Sequence, residues 1–485
     1  MEPSLEEVKR ISGLGGYDVC PVCVRIPKGG LEPTDVVEIL MNVSDHCFML
    51  ESAEEDRTWG RYSFLGYDPK LSVTCKDGHM VVGDLKIDTD DPDRYIRQIL
   101  EDYRGYRVEG FPSFTGGLVG YFSYDYLKYS EPSLKLDAKD TEGFQDVDLM
   151  LFDKVIVFDN LNNEIILIAN VDLSSPETSY NKAKIELASM EELILNGERK
   201  SGISGHMRSE IRPMFDKDRY CRMVEDAKSH IREGDIFQIV LSNRLEVDFD
   251  GSLLPTYKIL RRSNPSPYMF YFSGTDMEIA GASPETLVKL EDGVLHTFPL
   301  AGTRPRGKTS EEDIELERDL LSDEKELAEH NMLVDLGRND LGRISEFGSV
   351  EVERYHAVLR FSHVMHIGST VRGTIRKDKD ALDAIDSVLP AGTLSGAPKI
   401  RACQLINDME DNKRGIYGGA IGYIGFSGNL DTGIAIRIAY KKNGKVFVRS
   451  GAGIVADSVP AKEYQECLNK AAAVMEALKQ AEGSQ

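Results

Sequence analysis

The sequence predicts a mixed α/β or α+β protein. A chain of 485 residues is too long for one ordinary hydrophobic core, and 41% hydrophobic residues is typical of a globular protein. Strand-like runs such as KLSVTC and DKVIVFD alternate with turn residues in the first part of the chain, whereas long helical patterns join several strands in the second part. We therefore expect two or three domains, or one large body with an appendage.

The best candidate for a linker is the segment from about 196 to 212. Its sequence NGERKSGISGHMRSEIR is polar, rich in glycine and serine, and shows neither helical nor strand periodicity. It divides the chain into unequal parts, of which the longer one follows the linker.

The strand-like stretch YDVCPVCVRI contains a Cys20-x-x-Cys23 pair. The pair could be half of a zinc site, but no second CxxC and no paired histidines follow it. The seven cysteines are an odd number without the spacing of a disulfide framework, so we expect reduced thiols. Buried strand cysteines are the favoured interpretation.

A glycine pattern occurs twice, as GGLVGY at 116–121 and as GGAIGY at 418–423. Glycine pairs that enter a strand permit close backbone approach. The repetition predicts two related strands in two sheets packed face to face, with chance as the alternative.

Two long helices are predicted in the second part. The segment TSEEDIELERDLLSDEKELAEHNMLVDLG opens with a capping-box pattern at Thr309 and Glu312, and Ser322 allows a restart partway along. In the last helix we expect Ser458 as the cap and Pro460 in the first turn. Its apolar stripe has helical spacing and comprises Tyr464, Cys467, Leu468, Ala471, Met475 and Leu478.

Charge and hydropathy exclude several classes of function. The formal net charge of -23 makes a broad phosphate-binding face implausible, because nucleic-acid binders display clustered lysine and arginine. No window holds eighteen consecutive apolar residues, and the start MEPSLEEVKR lacks the pattern of a signal peptide. We expect a cytoplasmic protein.

Carboxylates are paired on both predicted helices. Glu326 and Glu329 are spaced i, i+3 on the earlier helix, and Glu463, Glu466 and Lys470 follow at i, i+3 and i+7 on the last one. Either pair alone is more typical of a solvated helix face. If the two helices meet, the four carboxylates need a cation, and an all-oxygen ligand set favours Mg²⁺.

The glycine-rich segment GAGIVADS at 451–458 leads directly into the last helix. Backbone N–H groups in such a loop suit a carboxylate or a phosphate, although a structural turn is the alternative. Neither a P-loop nor a dinucleotide fingerprint is present. Arg304, Arg306, Arg437 and Lys470 supply donors for carboxylates. Of His363 and His366, on a strand-like run, we expect at most one in a site.

Five ordered motifs together resemble one family. LAEHNMLVDLGRNDLGRI, PAGTLSGAPKIRA, YGGAIGYIGF, IAIRIA and GAGIVADSVPAKEYQEC are similar to the chorismate-utilising enzymes, and to the large synthase component of anthranilate synthase among them. The resemblance covers about 215 to 480. It implies an α+β fold of two orthogonally packed antiparallel sheets flanked by helices. It also implies a regulatory part over 1–205 and a catalytic part over 206–485.

The resemblance carries a binding site onto this sequence. It implies that Mg²⁺ is held by Glu329 and Glu466, with Glu326 and Glu463 nearby or acting through water. The implied substrate-binding residues are Gly302, Thr303, Tyr417, Arg437, Gly451, Ala452, Gly453 and Lys470. Thr393 lines the same pocket, with Tyr417 and Arg437 on the enolpyruvyl carboxylate and Lys470 on the ring carboxylate.

The implied reaction is amination of chorismate at C2 with loss of the C4 hydroxyl, followed by elimination of pyruvate. Glu285, in GASPE, matches the general acid, and His366 matches a histidine of the pyruvate step. Gln238 stands where water-using relatives carry a lysine base, and an amide can hydrogen-bond ammonia but cannot deprotonate water. Ala301, in PLAGT, stands where aminodeoxychorismate synthases commonly have a nucleophilic lysine, so ammonia must attack C2 directly. Arg304 and Arg306 should brace this loop and strengthen the local positive field.

The resemblance also implies partners and regulation. Ammonia should come from a glutamine amidotransferase subunit, component II, in a heterotetramer, and the reaction is the first step of tryptophan biosynthesis. Segments 48–66 and 264–271 resemble a feedback tryptophan site, with packing as the alternative interpretation of those segments. Its implied residues are Glu51, Ser52, Pro265, Tyr268 and Met269. Two alternatives stay open: an aminodeoxychorismate synthase, and a noncatalytic amino-acid-sensing homologue.

Overall fold

The computed structural model describes residues 1–52, 60–360 and 364–482. The strands up to residue 213 are β1 (Val19–Pro27), β2 (Cys47–Glu51), β3 (Tyr62–Tyr67), β4 (Leu71–Lys76), β5 (His79–Val82), β6 (Leu85–Asp88), β7 (Gly117–Phe122), β8 (Val147–Phe152), β9 (Lys154–Asp159), β10 (Glu164–Asp172), β11 (Gly205–Met207) and β12 (Arg212–Pro213). The later strands are β13 (Gln238–Gly251), β14 (Tyr268–Ser273), β15 (Met277–Ser283), β16 (Thr286–Glu291), β17 (Val294–Thr297), β18 (Leu300–Pro305), β19 (Glu351–Arg360), β20 (Val364–Thr374), β21 (Gly396–Ala397), β22 (Ala420–Gly425), β23 (Leu430–Ile434), β24 (Ile438–Lys442) and β25 (Lys445–Ile454).

The helices lie between these strands. They are α1 (Leu5–Ser12), α2 (Pro33–Leu40), α3 (Pro92–Glu101), α4 (Leu127–Ser130), α5 (Pro176–Asn196), α6 (Lys217–Arg232), α7 (Leu254–Ser263), α8 (Ser310–Ser322), α9 (Glu324–Gly342), α10 (Ala381–Val388), α11 (Lys399–Glu410) and α12 (Pro460–Glu482). A short 3₁₀ turn, Gly392–Leu394, precedes α11.

Two antiparallel sheets form the body of the protein, as the predicted fold class requires. The first sheet runs β1-β10-β9-β3-β2-β14-β15-β24-β25-β13-β11, and the second runs β18-β20-β17-β16-β23-β22-β7-β8-β4-β5-β6. In each sheet, strands from before and after the predicted linker pair with one another. The joins are β2 with β14 and β7 with β22. The division into 1–205 and 206–485 therefore does not separate two sheets.

The repeated glycine pattern marks one of these joins. The prediction that the two copies lie in sheets packed face to face is wrong, because β7 and β22 are neighbouring strands with Gly120 opposite Gly422. Both glycines have positive φ, 153° and 158°. A Cβ atom on either would lie 2.0 Å from the carbonyl oxygen of a flanking strand, Asp148 or Asp431. Glycine is required here by close backbone approach within one sheet.

An aromatic core fills the space between the sheets, and helices cover their outer faces. Phe48, Phe152 and Phe272 belong to the intersheet cluster, and the Phe48 and Phe152 ring centroids are 4.7 Å apart. α5, α7 and α12 pack on the first sheet, whereas α9 and α10 pack on the second. Burial of each large aromatic side chain contributes about 1.5–3 kcal/mol to the free energy of folding.

The predicted helices form, with different caps. The earlier segment is broken into α8 and α9, and Asp323 caps α9 by accepting from the backbone N–H groups of Lys325 and Glu326. Thr309 caps α8 as predicted, while the Glu312 side chain accepts from the Lys308 N–H. The Ser458 hydroxyl accepts from the Val455 N–H instead of capping α12. Ser322 does not start the second helix, because it is the last residue of α8 and its hydroxyl donates to the Arg318 carbonyl.

The remaining sequence expectations concern cysteines and membrane segments. All seven cysteines are free, and Cys20 and Cys23 are buried on β1, as predicted. Burial raises the pKa of both thiols to about 12. Within the described residues, no helix has the length and apolar character needed to cross a membrane.

Candidate active site

The LAGT residues of the PLAGT segment and Arg304 lie on β18, at the edge of the second sheet. Gly302 has φ 64°, in the left-handed region, and a Cβ there would come within 2.9 Å of Leu320 and 3.2 Å of Glu326. Glycine therefore lets β18 lie directly against α8 and α9. The pairing with β20 shifts register between Ala301 and Arg304, which makes room for this approach.

His366 on β20 faces this glycine loop. Its Nδ1 lies 2.8 Å from the Gly302 carbonyl oxygen and 3.1 Å from the Thr303 hydroxyl. Because a carbonyl oxygen only accepts, Nδ1 carries the proton in the neutral ring, and Nε2 is the unprotonated nitrogen. Burial lowers the pKa of His366, the Gly302 hydrogen bond opposes the shift, and Arg437 adds to it. His363 lies outside the described residues.

Glu285 lies between β15 and β16, with its carboxylate beside the 3₁₀ turn. The Thr393 hydroxyl donates to Glu285 Oε1 at 2.9 Å. A cavity of about 50 Å³ beside Glu285 is lined by apolar residues that include Pro299, Leu333 and Leu336. Burial raises the pKa of Glu285 to about 7, although Thr393, Lys470 and Arg437 each oppose the shift. The residue is thus a carboxyl that is partly protonated near neutral pH.

Arg437 supplies a half-buried cation whose charge is felt by Glu285. It has φ 51° and lies between β23 and β24. Burial lowers the pKa of its guanidinium, and Glu285 opposes that shift. Such a cation is stabilised by an anionic ligand that brings a carboxylate to it.

The floor of the site is the ladder between β13 and β25. Gln238 begins β13 and is buried, and its Nε2 would lie 3.2 Å from a Cβ on Gly453. The Tyr417 hydroxyl would lie 3.1 Å from a Cβ on Gly451. Side chains at 451 and 453 would fill the space next to the Tyr417 hydroxyl and the Gln238 amide. With glycine at both positions, the β25 backbone there can contact a bound molecule. Ala452, between them, is buried on the other face of the strand among apolar residues.

The four predicted metal ligands face one another across α9 and α12. The pKa of Glu329 is raised by displaced solvent, by Glu326 and by Glu466, while Lys325 and Lys470 oppose this. The pKa of Glu463 is raised by burial and by Glu466. Lys470 Nζ lies 2.8 Å from Glu466 Oε1. Carboxylates whose negative charges raise the pKa of Glu329 and Glu463, and which offer only oxygen donors, fit a hard divalent cation.

In the described structure, no three of these four glutamates bring their carboxylate oxygens within 4.8 Å of one another. Within the described ranges, the one group of three ligand residues whose donor atoms all lie within 4.8 Å is His230, Glu233 and Asp235. That group lies at the end of α6, and Asp235 is already held there by His230 and by Arg401. The assignment of Mg²⁺ to the α9–α12 carboxylates stays a prediction that the charges favour.

The two arginines of the loop brace it, as expected. Arg304 Nε lies 2.6 Å from Asp319, and its Nη2 lies 2.9 Å from Asp323. Arg306 is 2.6 Å from Asp313. Because three aspartates neutralise them, these arginines fix β18 against α8 and α9 more than they add positive field. The sequence patterns did not reveal Asp323, which both caps α9 and forms an ion pair with Arg304. Its only signal in the sequence was an aspartate between two helical patterns.

The predicted regulatory residues cluster at the join of β2 and β14. Met269 pairs directly with Glu51, whose carboxylate accepts from Arg261 Nε at 3.0 Å and from the Tyr257 hydroxyl. The Ser52 hydroxyl is buried and has no hydrogen-bond partner within the described part of the chain.

Tyr268 donates to Asp431 at 2.7 Å, and Pro265 is exposed in the preceding loop. Segment 53–59 lies outside the described residues. Arg261 and Tyr257, which hold Glu51, are further residues that the sequence patterns did not reveal.

Comparisons with known proteins agree on one family. Residues 45–476 match the family model described as chorismate binding enzyme. The chain is 43% identical to anthranilate synthase component 1 of Acetivibrio thermocellus over 99% of each chain, and 42% identical to that of Aquifex aeolicus, also over 99% of each.

Solved structures give the same picture. Anthranilate synthase component I from Streptococcus pneumoniae superimposes with a TM-score of 0.78 at 38% identity, covering 85% of this chain and 92% of that one. The menaquinone-specific isochorismate synthase from Escherichia coli shares the fold, with a TM-score of 0.71 at 20% identity and 98% coverage of both chains.

Proposed function

Because the chain belongs to the anthranilate synthase component 1 family of chorismate-binding enzymes, we propose that it converts chorismate and ammonia to anthranilate, pyruvate and water. The observation that carries the proposal is Glu285, a carboxyl with a pKa of about 7 that receives a hydrogen bond from Thr393. A proton donor of this kind is what a leaving hydroxide requires at neutral pH.

The first chemical step adds ammonia at C2 of the substrate ring and removes the hydroxyl group at C4. Ammonia forms a bond to C2 while the C4–O bond breaks, and Glu285 gives its proton to the departing hydroxide. The carboxylate left behind is stabilised by the Thr393 hydroxyl and by the charges of Arg437 and Lys470, which favour its ionised form. Gln238 beside Gly453 is positioned to hydrogen-bond ammonia, and Ala301 offers no competing amine.

The second step removes pyruvate. The proton at C2 leaves, the C3–O bond breaks, and the ring becomes aromatic, while the enolpyruvyl group departs as the enolate of pyruvate and takes up one proton to become pyruvate. His366 is suited to accept that proton because the Gly302 carbonyl keeps the other ring proton on Nδ1 and burial keeps the ring neutral.

The metal proposal rests on the carboxylates of α9 and α12. Glu329 and Glu466, with Glu326 and Glu463 beside them, would hold Mg²⁺, and their mutual repulsion supports this role. When bound, Mg²⁺ would neutralise a substrate carboxylate and favour charge development as hydroxide leaves. Lys470, in contact with Glu466, would bind the same carboxylate together with the Gly451–Gly453 backbone.

The source of ammonia and the regulation are also proposals. A glutamine amidotransferase subunit would deliver ammonia, in a heterotetramer in the cytoplasm, as the designation of the relatives as component 1 supports. The reaction would be the first step of tryptophan biosynthesis, with tryptophan as feedback inhibitor. The Ser52 hydroxyl, which is buried and has no hydrogen-bond partner among residues 1–52, 60–360 and 364–482, lies beside Glu51 and Met269 and supports an inhibitor site there.

An assay of the chain alone tests the activity. With chorismate, an ammonium salt and Mg²⁺, fluorescent anthranilate should appear without any added lyase, and omission of Mg²⁺ should stop it. Accumulation of a nonfluorescent aminated chorismate would instead indicate an aminodeoxychorismate synthase. No turnover of chorismate at all would favour the noncatalytic alternative.

The metal assignment is tested by Glu466→Gln. Loss of one anionic ligand should lower kcat by at least about 100-fold and raise the Mg²⁺ concentration needed for half-maximal rate. Glu476→Gln, on the exposed face of the same helix, is the matched control. An unchanged Mg²⁺ requirement in Glu466→Gln would remove Glu466 from the ligand set.

The regulatory assignment is tested by Ser52→Leu. The larger apolar side chain should fill the inhibitor site, so the tryptophan concentration for half-inhibition should rise by at least about tenfold relative to each variant's own uninhibited rate. Ser52→Ala, which removes only the hydroxyl, separates loss of a hydrogen bond from blocking. Retained sensitivity in Ser52→Leu would place inhibition elsewhere.

A further inference from the structure

A second cavity, of about 570 Å³, lies between the sheets and is separate from the proposed catalytic site. Its lining includes the start of β4, the turn between β5 and β6, and the β14–β15 turn at 273–277. None of the residues assigned above to catalysis, metal binding or tryptophan lines it. Its volume lies in the range of small-molecule sites, about 300–1,000 Å³.

A register row across the second sheet forms one wall. Thr74 pairs with Asp148, Asp148 pairs with Tyr121, and Tyr121 pairs with Ile421. Residues directly opposite in neighbouring antiparallel strands point to the same face, and all four line the cavity. Across from them, Phe272 and Ile279 form the wall of the first sheet. The cavity therefore has two facing walls, with Phe272, Ile279 and Ile421 as apolar surface and Asp148 on the wall of the second sheet.

The Asp148 carboxylate is not satisfied by the protein. Its side chain accepts no hydrogen bond from any residue in the described ranges, and burial together with Asp276 raises its pKa to about 7, with Lys442 opposing the shift. Lys442 is engaged elsewhere: its ammonium donates to the Gly143 carbonyl at 2.9 Å and lies 3.6 Å from Asp276. The Asp148 side chain is half-buried and lines the cavity, so a molecule that enters the cavity can donate a hydrogen bond to its carboxylate.

The other charged groups of the lining do not supply that donor. Lys70 pairs with Asp153 at 3.3 Å, and His46 contacts the Thr275 hydroxyl through Nε2 at 3.3 Å. Asp84 is exposed at the rim. The lining carries three carboxylates and two ammonium groups: Asp148, Asp84, Asp276, Lys70 and Lys442. Because carboxylates are in excess and Lys70 is already paired, the cavity favours a positively charged ligand.

We propose that this cavity binds a small primary amine with an apolar or aromatic body, whose ammonium group donates to Asp148. The apolar part would lie between Phe272 on the first sheet and Ile421 on the second sheet. Such a molecule would donate to the Asp148 carboxylate and place its apolar part against Phe272, Ile279 and Ile421.

Binding of 2-phenylethylamine to the full-length chain, measured by calorimetry, tests the proposal against 2-phenylethanol, which has similar size and no charge. The amine should bind with Kd of ~0.1–1 mM, and the alcohol should bind at least about tenfold more weakly. Equal affinity for the two probes would overturn the role of the carboxylate.

Two variants, Asp148→Asn and Thr74→Lys, with Asp84→Asn as the control, localise the site. Asp148→Asn should weaken amine binding at least about tenfold and leave alcohol binding within about twofold, whereas Asp84→Asn at the rim should change neither. Thr74→Lys places an ammonium opposite Asp148 and should abolish amine binding by occupying the carboxylate. Near-ultraviolet circular dichroism and Tm establish that each variant is folded. Wild-type amine affinity in folded Asp148→Asn or Thr74→Lys would refute the assignment.

Discussion

Two glutamates, the fully buried Glu410 and the half-buried Glu285, differ in how many hydrogen bonds their carboxylates accept. Glu410, at the end of α11, accepts from Arg414 through both oxygens, at 2.5 and 3.0 Å, and from Ser242 through its N–H and hydroxyl, at 2.7 and 2.9 Å. Among the described residues, the Glu285 carboxylate accepts a hydrogen bond from the Thr393 hydroxyl alone. Full satisfaction makes Glu410 a structural element, whereas partial satisfaction gives Glu285 a pKa of about 7 and makes it reactive.

The Glu410–Arg414 ion pair also holds the segments that carry Gln238 and Thr393. Arg414 donates to the Val240 carbonyl on β13 at 2.7 Å and to the Leu394 carbonyl in the 3₁₀ turn at 2.6 Å. These carbonyls lie two residues after Gln238 and one residue after Thr393. A buried, saturated ion pair thus holds the strand and the turn that carry two of the proposed site residues.

The largest effect should come from Glu285→Gln. The amide keeps the shape and the contact with Thr393 but cannot donate an acidic proton, so kcat should fall by about 10²–10⁴-fold with little change in Tm. Glu291→Gln, at the far end of β16, is the matched control. A kcat within threefold of wild type would mean that another group protonates the leaving hydroxide.

The opposite pattern is expected for Glu410→Gln. Removing the carboxylate leaves the fully buried Arg414 guanidinium without its counter-charge, which should lower the free energy of unfolding by about 3–5 kcal/mol. Urea denaturation measures this, with Asp408→Asn on the exposed face of α11 as the control. A stability loss below about 1 kcal/mol would remove the distinction between the two glutamates.

The sequence revealed residue types and local elements more readily than pairings. The long helices, the strand cysteines and the family motifs were readable because each is a local pattern. The glycine repeat was misplaced because register between β7 and β22 joins residues about 300 positions apart, and nothing local encodes which sheet receives each strand.

Site chemistry showed the same limit. Glu285 was identifiable from GASPE, yet the role of Asp323 as anchor for Arg304, of Arg414 beneath the site, and of Asp148 in its cavity depends on tertiary neighbours. Partners that are distant in sequence decide whether a carboxylate is structural or reactive, so residue type alone could not separate them.

The smallest and most specific effect is the pH dependence that the raised pKa of Glu285 imposes. The acid must be protonated to act, so log kcat/KM should be level below pH 7 and fall with a slope near -1 above it, about tenfold lower at pH 8 than on the plateau. Rates should be compared at a fixed concentration of unprotonated ammonia, and circular dichroism over the same range excludes unfolding. In Glu285→Gln this alkaline limb should disappear from the residual activity, because the titrating group is gone; a limb that persists with the same midpoint would assign it to a different buried group.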